Sequence, residues 1–345
     1  MKTAVVILNW NTERFLRAFL PGLVASCPPD ARVVVADSGS DDGSLEYVTE
    51  AFPEVITIPL GGNYGFTGGY NLALKDLEAE YYLLLNSDIE VSPGWLEPLV
   101  EYMDSHPECG ACGPKLHALE QTGDGGFKRT SRFEYAGAAG GYVDRYGYPF
   151  CRGRVLKRLE EDHGQYDIPA QVLWVSGACL LTRASLWKRL GGLDDRFFAH
   201  MEEIDYCWRA QLLGYTVAVV PQSTVWHLGG GTLSAESPHK LMLNYRNSLL
   251  FLDGKVPAVR FCVRYLLDYM SALVYVFTGR FAYAGSVFRA HREYRRLRNN
   301  DASGPRNAVS VTGYWKICII LQSFVRGEGI FRYLKAYEDS HRGSR

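Results

Sequence analysis

A short apolar run that ends abruptly in polar side chains constrains this chain more than any other feature. Residues 81–85 read Tyr-Tyr-Leu-Leu-Leu, and Asn86, Ser87 and Asp88 follow at once. An unbroken run of this length is typical of a strand that is buried on both faces, as in a parallel sheet. Ligands of open α/β sheets bind just beyond the carboxyl ends of such strands, where a hard cation and a phosphorylated ligand would meet Asp88. The alternative is an ordinary polar turn after a strand.

Strand-like and helix-like segments alternate through the first part of the chain. Residues 2–8, 31–36 and 55–58 are apolar runs of strand length, and a polar turn and a helical stretch follow each of them. This alternation predicts βαβ units with right-handed crossovers around a mainly parallel sheet. The expected fold class is therefore α/β, with a nucleotide-binding half.

Two polar segments at the ends of these strands are candidates for ligand contact. Asp37 ends the second strand, where a carboxylate can accept hydrogen bonds from a base or from ribose hydroxyls, or can cap the next helix. Residues 61–71 are rich in glycine, which lets a backbone approach a ligand closely, although a flexible connection would have the same composition. This segment has neither G-x-G-x-x-G spacing nor a P-loop lysine, which argues against a Rossmann dehydrogenase or an NTPase.

The composition is that of a globular chain, with 345 residues, 47% of them hydrophobic and 22% charged. Its net charge of -1 gives no general attraction to nucleic acid, so no such partner is expected. The chain begins with a strand-like run and has no apolar stretch of membrane-spanning length, so we expect no signal peptide and a cytoplasmic location. The eight cysteines are scattered, and we expect Cys109 and Cys112 to be buried thiols.

An acidic run between aromatic residues is the second candidate site. On a helix, Glu202, Asp205 and Arg209 fall near one face, and Glu203 lies on another side. Burial among the surrounding aromatic residues would raise the pKa of Glu203 toward that of a general base. The alternative is a solvated face with an Asp205–Arg209 pair. His227, which precedes a run of glycines, is either a structural residue or a ligand beside an acidic ion site.

Two other regions differ in character from the alternating segments. Residues 116–170 are rich in Gly, Tyr and Arg and predict an insertion of short strands and loops beside the site, with Ser176 and Gly177 at its edge. From Pro238 onward the chain is helical, aromatic and basic, which indicates an interfacial membrane element, a helical lid or a dimer face. We therefore divide the chain into residues 1–237 and a helical C-terminal region, residues 238–345.

The order and spacing of these motifs resemble the family 2 glycosyltransferases with a GT-A fold, in particular their bacterial rhamnosyltransferase-like branch. The resemblance runs from residue 5 to about residue 250. Its motifs are Val-Val-Ile-Leu-Asn-Trp-Asn at 5–11, Val-Val-Ala-Asp-Ser-Gly-Ser-Asp-Asp-Gly-Ser at 34–44, Asn-Tyr-Gly-Phe-Thr-Gly-Gly-Tyr-Asn at 63–71, Leu-Leu-Asn-Ser-Asp at 84–88, Glu-Glu-Ile-Asp-Tyr-Cys-Trp-Arg at 202–209, and His227 before its glycines.

The resemblance implies roles for individual residues. A nucleoside diphosphate sugar donor would be held by Asn9, Asp37, Asn63, Gly65 and Asn71. A divalent ion, Mg²⁺ or Mn²⁺, would be bound by Asp88 and His227, and Glu203 would be the catalytic base. Further substrate contacts are expected from Ser176, Gly177, Glu202 and Asp205. The family's D-x-D is here Asn86-Ser87-Asp88, with one carboxylate, and its base position, more often Asp, is Glu.

The function that the resemblance implies is inverting transfer of a sugar, rhamnose or a similar one, from a nucleoside diphosphate to a hydroxyl. The acceptor would be a glycan or lipid-linked glycan of surface polysaccharide synthesis, at the inner face of the plasma membrane. Two other classes stay open. A non-catalytic scaffold would fit the reduced D-x-D, and a sugar nucleotidyltransferase would use a similar half-sheet but needs a basic triphosphate-binding loop.

Overall fold

Strands and helices of the computed structural model are described over residues 1–229, 237–298 and 311–342. The strands are β1 (Thr3–Asn9), β2 (Ala31–Asp37), β3 (Ile56–Pro59), β4 (Tyr81–Leu85), β5 (Ile89–Glu90), β6 (Cys109–Gln121), β7 (Phe127–Phe133), β8 (Gly141–Asp144), β9 (Pro149–Cys151), β10 (Arg154–Val155), β11 (Arg158–Leu159), β12 (Ala170–Gln171), β13 (Cys179–Arg183), β14 (Thr216–His227) and β15 (Tyr314–Trp315). The helices are α1 (Glu13–Ala25), α2 (Ser44–Ala51), α3 (Gly65–Ala73), α4 (Glu97–Ser105), α5 (Ala184–Leu190), α6 (Glu202–Leu212), α7 (Pro238–Leu252), α8 (Ala258–Phe277), α9 (Phe281–Leu297), α10 (Ile319–Arg326) and α11 (Ile330–Arg342).

The central sheet begins as the sequence predicts, with parallel strands joined by helices. β1 pairs in parallel with both β2 and β4, and β2 pairs in parallel with β3. Every residue of β4 is at most 1% exposed. Tyr82 and Leu84 pack into one hydrophobic core, whereas Tyr81, Leu83 and Leu85 pack into the core on the other face. The apolar run therefore forms a doubly buried strand, because neither of its faces meets water.

The second half of the sheet mixes directions. Its order is β12-β14-β6-β13-β4-β1-β2-β3, and β13 runs antiparallel to both β4 and β6. β14 runs parallel to β6, and its last residues pair with the short strand β5. The pairing of His227 with Ile89 brings the end of β14 next to the residues that follow β4. Strands distant in sequence thus meet at the rim where the polar residues lie.

A second, smaller sheet lies beside the first and has the order β11-β10-β9-β8-β15. Four of its strands come from residues 116–170, the segment predicted to hold short strands and loops. The fifth, β15, comes from the C-terminal region and pairs in parallel with β8. Side chains from before and after residue 237, such as Val217 and Leu249, also pack in one hydrophobic core. The predicted division at residue 237 stays a prediction, and across it the two regions are packed together.

The C-terminal region is helical, as expected, and α7 packs against α9. Among the described residues, no helix combines the length and the apolar character needed to cross a membrane. Cys109 and Cys112 are buried free thiols, and the other six cysteines are free as well. The motif glycines at 230 and 231 lie outside the described residues.

Candidate active site

The ends of β1 and β2 form the first part of the polar rim. Asn9 and Asp37 are paired across the two strands, and the Asn9 Nδ2 donates to Asp37 Oδ1 at 2.7 Å. The other carboxylate oxygen of Asp37 accepts from the backbone N–H groups of Gly39 at 3.1 Å and Ser40 at 3.0 Å. The structure thus brings these two predicted donor-site residues together, and it also gives Asp37 a local role in closing the turn after β2.

The glycine-rich segment connects this rim to the loop that precedes α6. Asn63 Oδ1 accepts from the backbone N–H of Gly65 at 2.9 Å, and this turn starts α3. Gly65 has φ of +70°, and a Cβ built there would lie 2.5 Å from the ring of Phe198. The Thr67 N–H donates to the Phe198 carbonyl at 3.2 Å. A glycine is needed at 65 because both its backbone conformation and its neighbour exclude a side chain.

Asn71, predicted to contact the donor, is hydrogen-bonded to the loop that leads to α6. Its Nδ2 donates to the Leu193 carbonyl at 2.8 Å and to Asp195 Oδ1 at 2.7 Å. Its Oδ1 accepts from the Leu193 N–H at 2.9 Å. Both amide atoms are thus engaged in fastening α3 to this loop, and the donor contact stays a prediction.

The segment after β4 supplies the predicted metal ligands. Asp88 Oδ1 lies 3.1 Å from His227 Nε2, and Asn86 Nδ2 lies 3.4 Å from the same nitrogen. On the opposite edge of the ring, Glu134 Oε1 lies 3.4 Å from His227 Nδ1. Asp88, Glu134 and His227 are all buried. Glu134 was missed by the sequence reasoning because it follows β7 without any local motif, and nothing along the chain links it to residue 227.

Charge and burial act against each other in this group. Burial alone would lower the pKa of His227, but the carboxylates of Asp88 and Glu134 reverse this and raise its pKa to about 10. Burial would raise the pKa of Asp88, yet the facing imidazole holds it below the ordinary value of a carboxyl. The group as it stands is therefore an ion pair, and a divalent cation would compete with the imidazole proton for the same two atoms.

Asp88 and His227 fit adjacent positions around a divalent ion. Ligand atoms about 2.1 Å from an octahedral ion and at right angles are separated by about 3.0 Å, and the 3.1 Å between Asp88 Oδ1 and His227 Nε2 matches this. Glu134 faces the other ring nitrogen, so it would orient the imidazole from outside the shell. In the described part of the chain, no group of three or more acidic, His or Cys side chains could hold an ion. The remaining ligands would be substrate oxygens and water.

The loop that precedes α6 is strained. Phe198, His200 and Met201 have φ values of 62°, 70° and 73°, in the left-handed region that non-glycine residues seldom adopt. Conformations of this kind cost on the order of 1–3 kcal/mol each and cluster at functional sites. Periodicity and composition carry no signal for such backbone angles. The three residues lie directly ahead of Glu202 and Glu203, the first two residues of α6.

Glu203 lies next to the rim that carries Asp88. A Cβ built on Gly177 would be 3.5 Å from the Cβ of Glu203, and the next carbonyl, that of Ala178, accepts from the Asn86 N–H at 2.9 Å. Gly177, Ala178 and Asn86 therefore connect the predicted base to the predicted ion site through consecutive contacts. Ser176 is buried, and its Oγ accepts from the Ala178 N–H at 3.3 Å.

Glu203 has the properties of a proton acceptor. It is half-buried, and its Oε2 atom is shielded from solvent and has no hydrogen-bond partner among the described residues. Burial raises the pKa of Glu203 to about 7, against the opposing effect of the N–H groups at the start of α6. The neighbouring Glu202 is fully enclosed, and burial together with the Glu203 charge raises its pKa well above the ordinary value. Two neighbouring carboxyls thus lie at the start of α6, and Glu203 is the one that contacts Gly177.

Asp205, predicted to contact substrate, is part of a buried ion-pair network. Its Oδ2 accepts from Arg209 Nε at 2.6 Å, and its Oδ1 accepts from Lys255 Nζ at 2.9 Å. Burial would raise the pKa of Asp205, but Lys255 and Arg209 lower it to about 2. Both oxygens thus join α6 to the segment that follows α7, and the substrate contact stays a prediction.

The Asp205 network predicts acid-sensitive stability. A carboxyl whose folded pKa is near 2, below the unfolded value of about 3.9, stabilises the protein above pH 4. That contribution is lost as the pH falls from about 4 to about 2. Asp205→Asn should lower the free energy of unfolding near neutral pH by about 2–3 kcal/mol. It should also flatten the acid limb of the stability curve, as measured by urea titration at several pH values.

The matched control is Glu120→Gln, which removes an exposed ion pair with Arg132 and should change stability by less than about 0.5 kcal/mol. If Asp205→Asn behaved like this control at neutral pH, the network would contribute no stability and the structural role assigned to Asp205 would be wrong.

Comparisons with known proteins agree with this architecture. Residues 4–159 match the family described as glycosyl transferase family 2. The chain is 26% identical over 267 residues to N-acetylglucosaminyl-diphospho-decaprenol L-rhamnosyltransferase of Mycobacterium tuberculosis, across 73% of this chain and 84% of that protein. It is 23% identical over 224 residues to rhamnosyltransferase WbbL of Escherichia coli K12, across 63% of this chain and 80% of that protein.

Two solved structures share the fold at low identity. GalNAc-T7 with UDP, GalNAc and Mn²⁺ superposes with a TM-score of 0.57 at 16% identity, over 74% of this chain and 48% of that one. The match therefore spans about half of that protein. The mannosyltransferase PcManGT of Pyrobaculum calidifontis, in complex with GDP-Man and Mn²⁺, gives a TM-score of 0.50 at 13% identity, over 86% of this chain and 76% of that one. At these identities the likeness concerns the fold.

Proposed function

Because the chain belongs to glycosyltransferase family 2 and has the GT-A fold, we propose that it transfers a sugar with inversion to a hydroxyl group. The donor is a nucleoside diphosphate sugar, and the acceptor is a glycan or a lipid-linked glycan of surface polysaccharide synthesis. The observation that carries the proposal is the continuity from Glu203 through Gly177 and Asn86 to Asp88. We propose on this basis that the candidate base and the candidate ion site face one cleft.

The donor would lie along the rim of the parallel strands. Asn9 and Asp37 are at the carboxyl ends of β1 and β2, where ligands of such sheets bind, and the turn at Asn63–Gly65 borders the same edge. The diphosphate would then reach Asp88 and His227. Rhamnose is the sugar that we propose, since two relatives of this chain are named rhamnosyltransferases.

The chemistry requires one proton acceptor and no side-chain nucleophile. The acceptor hydroxyl attacks the anomeric carbon while its proton passes to Glu203 Oε2, and the bond between that carbon and the diphosphate oxygen breaks on the opposite face. The nucleoside diphosphate leaves and the configuration is inverted. A divalent ion at Asp88 and His227, when bound, supplies positive charge for the leaving diphosphate. With a pKa of about 7, about half of the Glu203 carboxyls are deprotonated at neutral pH and can accept a proton.

Replacement of the base tests this assignment. Glu203→Gln keeps the size of the side chain but cannot accept a proton, so kcat should fall by about 10²–10⁴-fold. Donor affinity, measured by calorimetric titration, should stay within about threefold of the wild-type value, since the change does not touch the proposed donor rim. Full turnover by this variant, assayed as nucleoside diphosphate release, would contradict the proposal.

A panel of sugar donors distinguishes the competing functions. Transfer with release of nucleoside diphosphate supports the glycosyltransferase. Formation of inorganic diphosphate from a nucleoside triphosphate and a sugar phosphate would identify a nucleotidyltransferase. No turnover with any donor and acceptor pair, together with intact nucleotide binding, would favour the non-catalytic scaffold.

The ion site predicts opposite effects from two neighbouring substitutions. Asp88→Asn removes the single carboxylate of the segment and should weaken Mn²⁺ binding by about 10-fold or more, because a hard cation prefers carboxylate oxygen. Asn86→Asp adds a carboxylate beside His227 Nε2 and should tighten Mn²⁺ binding. Titration of each variant with Mn²⁺, followed by electron paramagnetic resonance, measures both. Unchanged affinity in the Asp88→Asn variant would remove Asp88 from the ion site.

An exposed apolar stripe on α8 supports contact with a membrane surface. Val259, Leu266, Met270, Leu273 and Phe277 are 75%, 61%, 52%, 56% and 86% exposed. They recur at steps of three, four or seven residues, which places them along one side of the helix. Because exposed apolar faces of this extent mark interaction surfaces, the stripe needs a partner.

The charges around the stripe favour an anionic lipid surface. α8 and α9 contain two acidic residues, Asp268 and Glu293. Both are engaged, with Arg264 at 2.7 Å and with Arg246 at 3.1 Å. The exposed arginines of the same region are Arg280, Arg289, Arg292, Arg295, Arg296 and Arg298. A basic edge beside an apolar stripe is the composition of an interfacial element, and we propose that it binds the cytoplasmic leaflet, where a lipid-linked acceptor would be presented.

Flotation with vesicles tests the membrane contact. The double substitution Leu266→Glu and Leu273→Glu should abolish flotation with anionic vesicles, because it places two charges in the apolar stripe. Ile168→Glu is the matched control, since Ile168 is 71% exposed but lies outside α8. Equal flotation of both variants would contradict the membrane role. A wild-type dimer that the double substitution dissociates, seen by sedimentation, would identify the stripe as a dimer face.

A further inference from the structure

Two side chains of α7 bind the strained loop from behind. Asn247 is fully buried, and its Nδ2, which carries two hydrogens, lies within hydrogen-bonding distance of three carbonyls, those of Phe197 at 2.9 Å, Ala199 at 2.7 Å and His200 at 2.6 Å. The Nη2 of Arg246 donates to the Phe197 carbonyl as well, at 2.7 Å. One amide and one guanidinium thus supply hydrogen-bond donors to the backbone carbonyls of this loop.

Arg246 also determines how the amide of Asn247 is oriented. Its Nε donates to Asn247 Oδ1 at 2.9 Å, so the oxygen of the amide faces Arg246 and the nitrogen faces the loop. The Nη1 of Arg246 is in turn held by Glu293 Oε2 of α9 at 3.1 Å. A connected series of hydrogen bonds therefore runs from α9 through α7 to the backbone that ends at Glu202.

The loop leads directly into the base. Met201 is the last left-handed residue, and α6 starts after it without a side-chain cap. Glu203 is the second residue of that helix, so the direction in which α6 begins fixes where its carboxyl lies relative to Gly177. α3 also contacts the loop, where the Thr67 N–H donates to the Phe198 carbonyl at 3.2 Å.

We infer that Asn247, oriented by Arg246, is a positioning residue that holds the strained loop and thereby places the Glu203 carboxyl in the cleft. The inference rests on the proposed function, since it concerns the same base. A positioning role, unlike a purely structural one, requires that loss of the Asn247 contacts lower kcat. Release of the loop should displace the base more than the donor rim, which the loop contacts at Gly65, and it should also admit water to the carboxyl.

The test compares substitutions that differ in one hydrogen-bonding group. Asn247→Asp has nearly the same shape but presents oxygen to three carbonyls, so the loop should be repelled. We expect kcat to fall about 100-fold, the loss that a displacement of about 1 Å can cause, with the KM for the donor within about threefold. Arg246→Lys keeps the charge near Glu293 but removes the Nε–H that orients the amide, and it should give a smaller loss in the same direction. Ser248→Ala, a buried neighbour on α7, is the control.

Two further measurements separate positioning from general destabilisation. The acid limb of the pH profile of kcat/KM should move to lower pH in Asn247→Asp, because hydration lowers the pKa of a carboxyl that burial had raised. In the free protein, hydrogen exchange of the amides in residues 198–203 should accelerate in Asn247→Asp and not in Ser248→Ala.

The outcomes also distinguish this inference from the proposed function. Unchanged hydrogen exchange in Asn247→Asp would overturn the inference whatever the activity. Faster exchange with unchanged kcat and pH profile, in a protein whose Glu203→Gln variant is inactive, would overturn it and leave the proposed function intact. Equal turnover by wild type and Glu203→Gln would overturn the proposed function, and the catalytic part of the inference with it.

Discussion

The register between β1, β2 and β4 is the constraint on which the rest of the structure depends. Parallel strands that pair without offset end at one edge, so Asn9, Asp37 and the residues after Leu85 reach the same rim. β13 then runs antiparallel to β4, and its preceding residues bring Gly177 to the rim and Glu203 against Gly177. The proposed cleft therefore depends on strand pairing, and close-packed cores bury both faces of β4 behind it.

The features that the sequence predicted have local causes. The apolar run of β4 determines a doubly buried strand because every one of its side chains must leave water, and the polar residues after it must then lie at an edge. The alternation of strands and helices gave the α/β class, and the motifs gave the GT-A fold, both of which the comparisons confirm. The shielding of Glu203 is less local, since Gly177, 26 residues earlier in the chain, lies against it.

The features that the sequence did not predict depend on partners far along the chain. Asn71 is occupied by Leu193 and Asp195, more than 120 residues away, and Asp205 is held by Lys255, which is 50 residues away. An amide or a carboxylate in a motif looks the same whether it faces a ligand or a distant segment. Glu134 reaches His227 only because β6, β7 and β14 are neighbours in the sheet, and positive φ at His200 has no compositional signature.

The strand β15 and the Asp205–Lys255 ion pair together limit how the protein can be divided. β15 pairs with the edge of the sheet built from residues 116–170, and the ion pair supplies the countercharge for α6, the helix that carries the proposed base. A chimera that exchanged the C-terminal region for that of a relative would open an unpaired strand edge and bury a carboxylate without its lysine. Recombination among relatives should therefore preserve both connections, which means that residues 1–237 and the helical C-terminal region should be exchanged together.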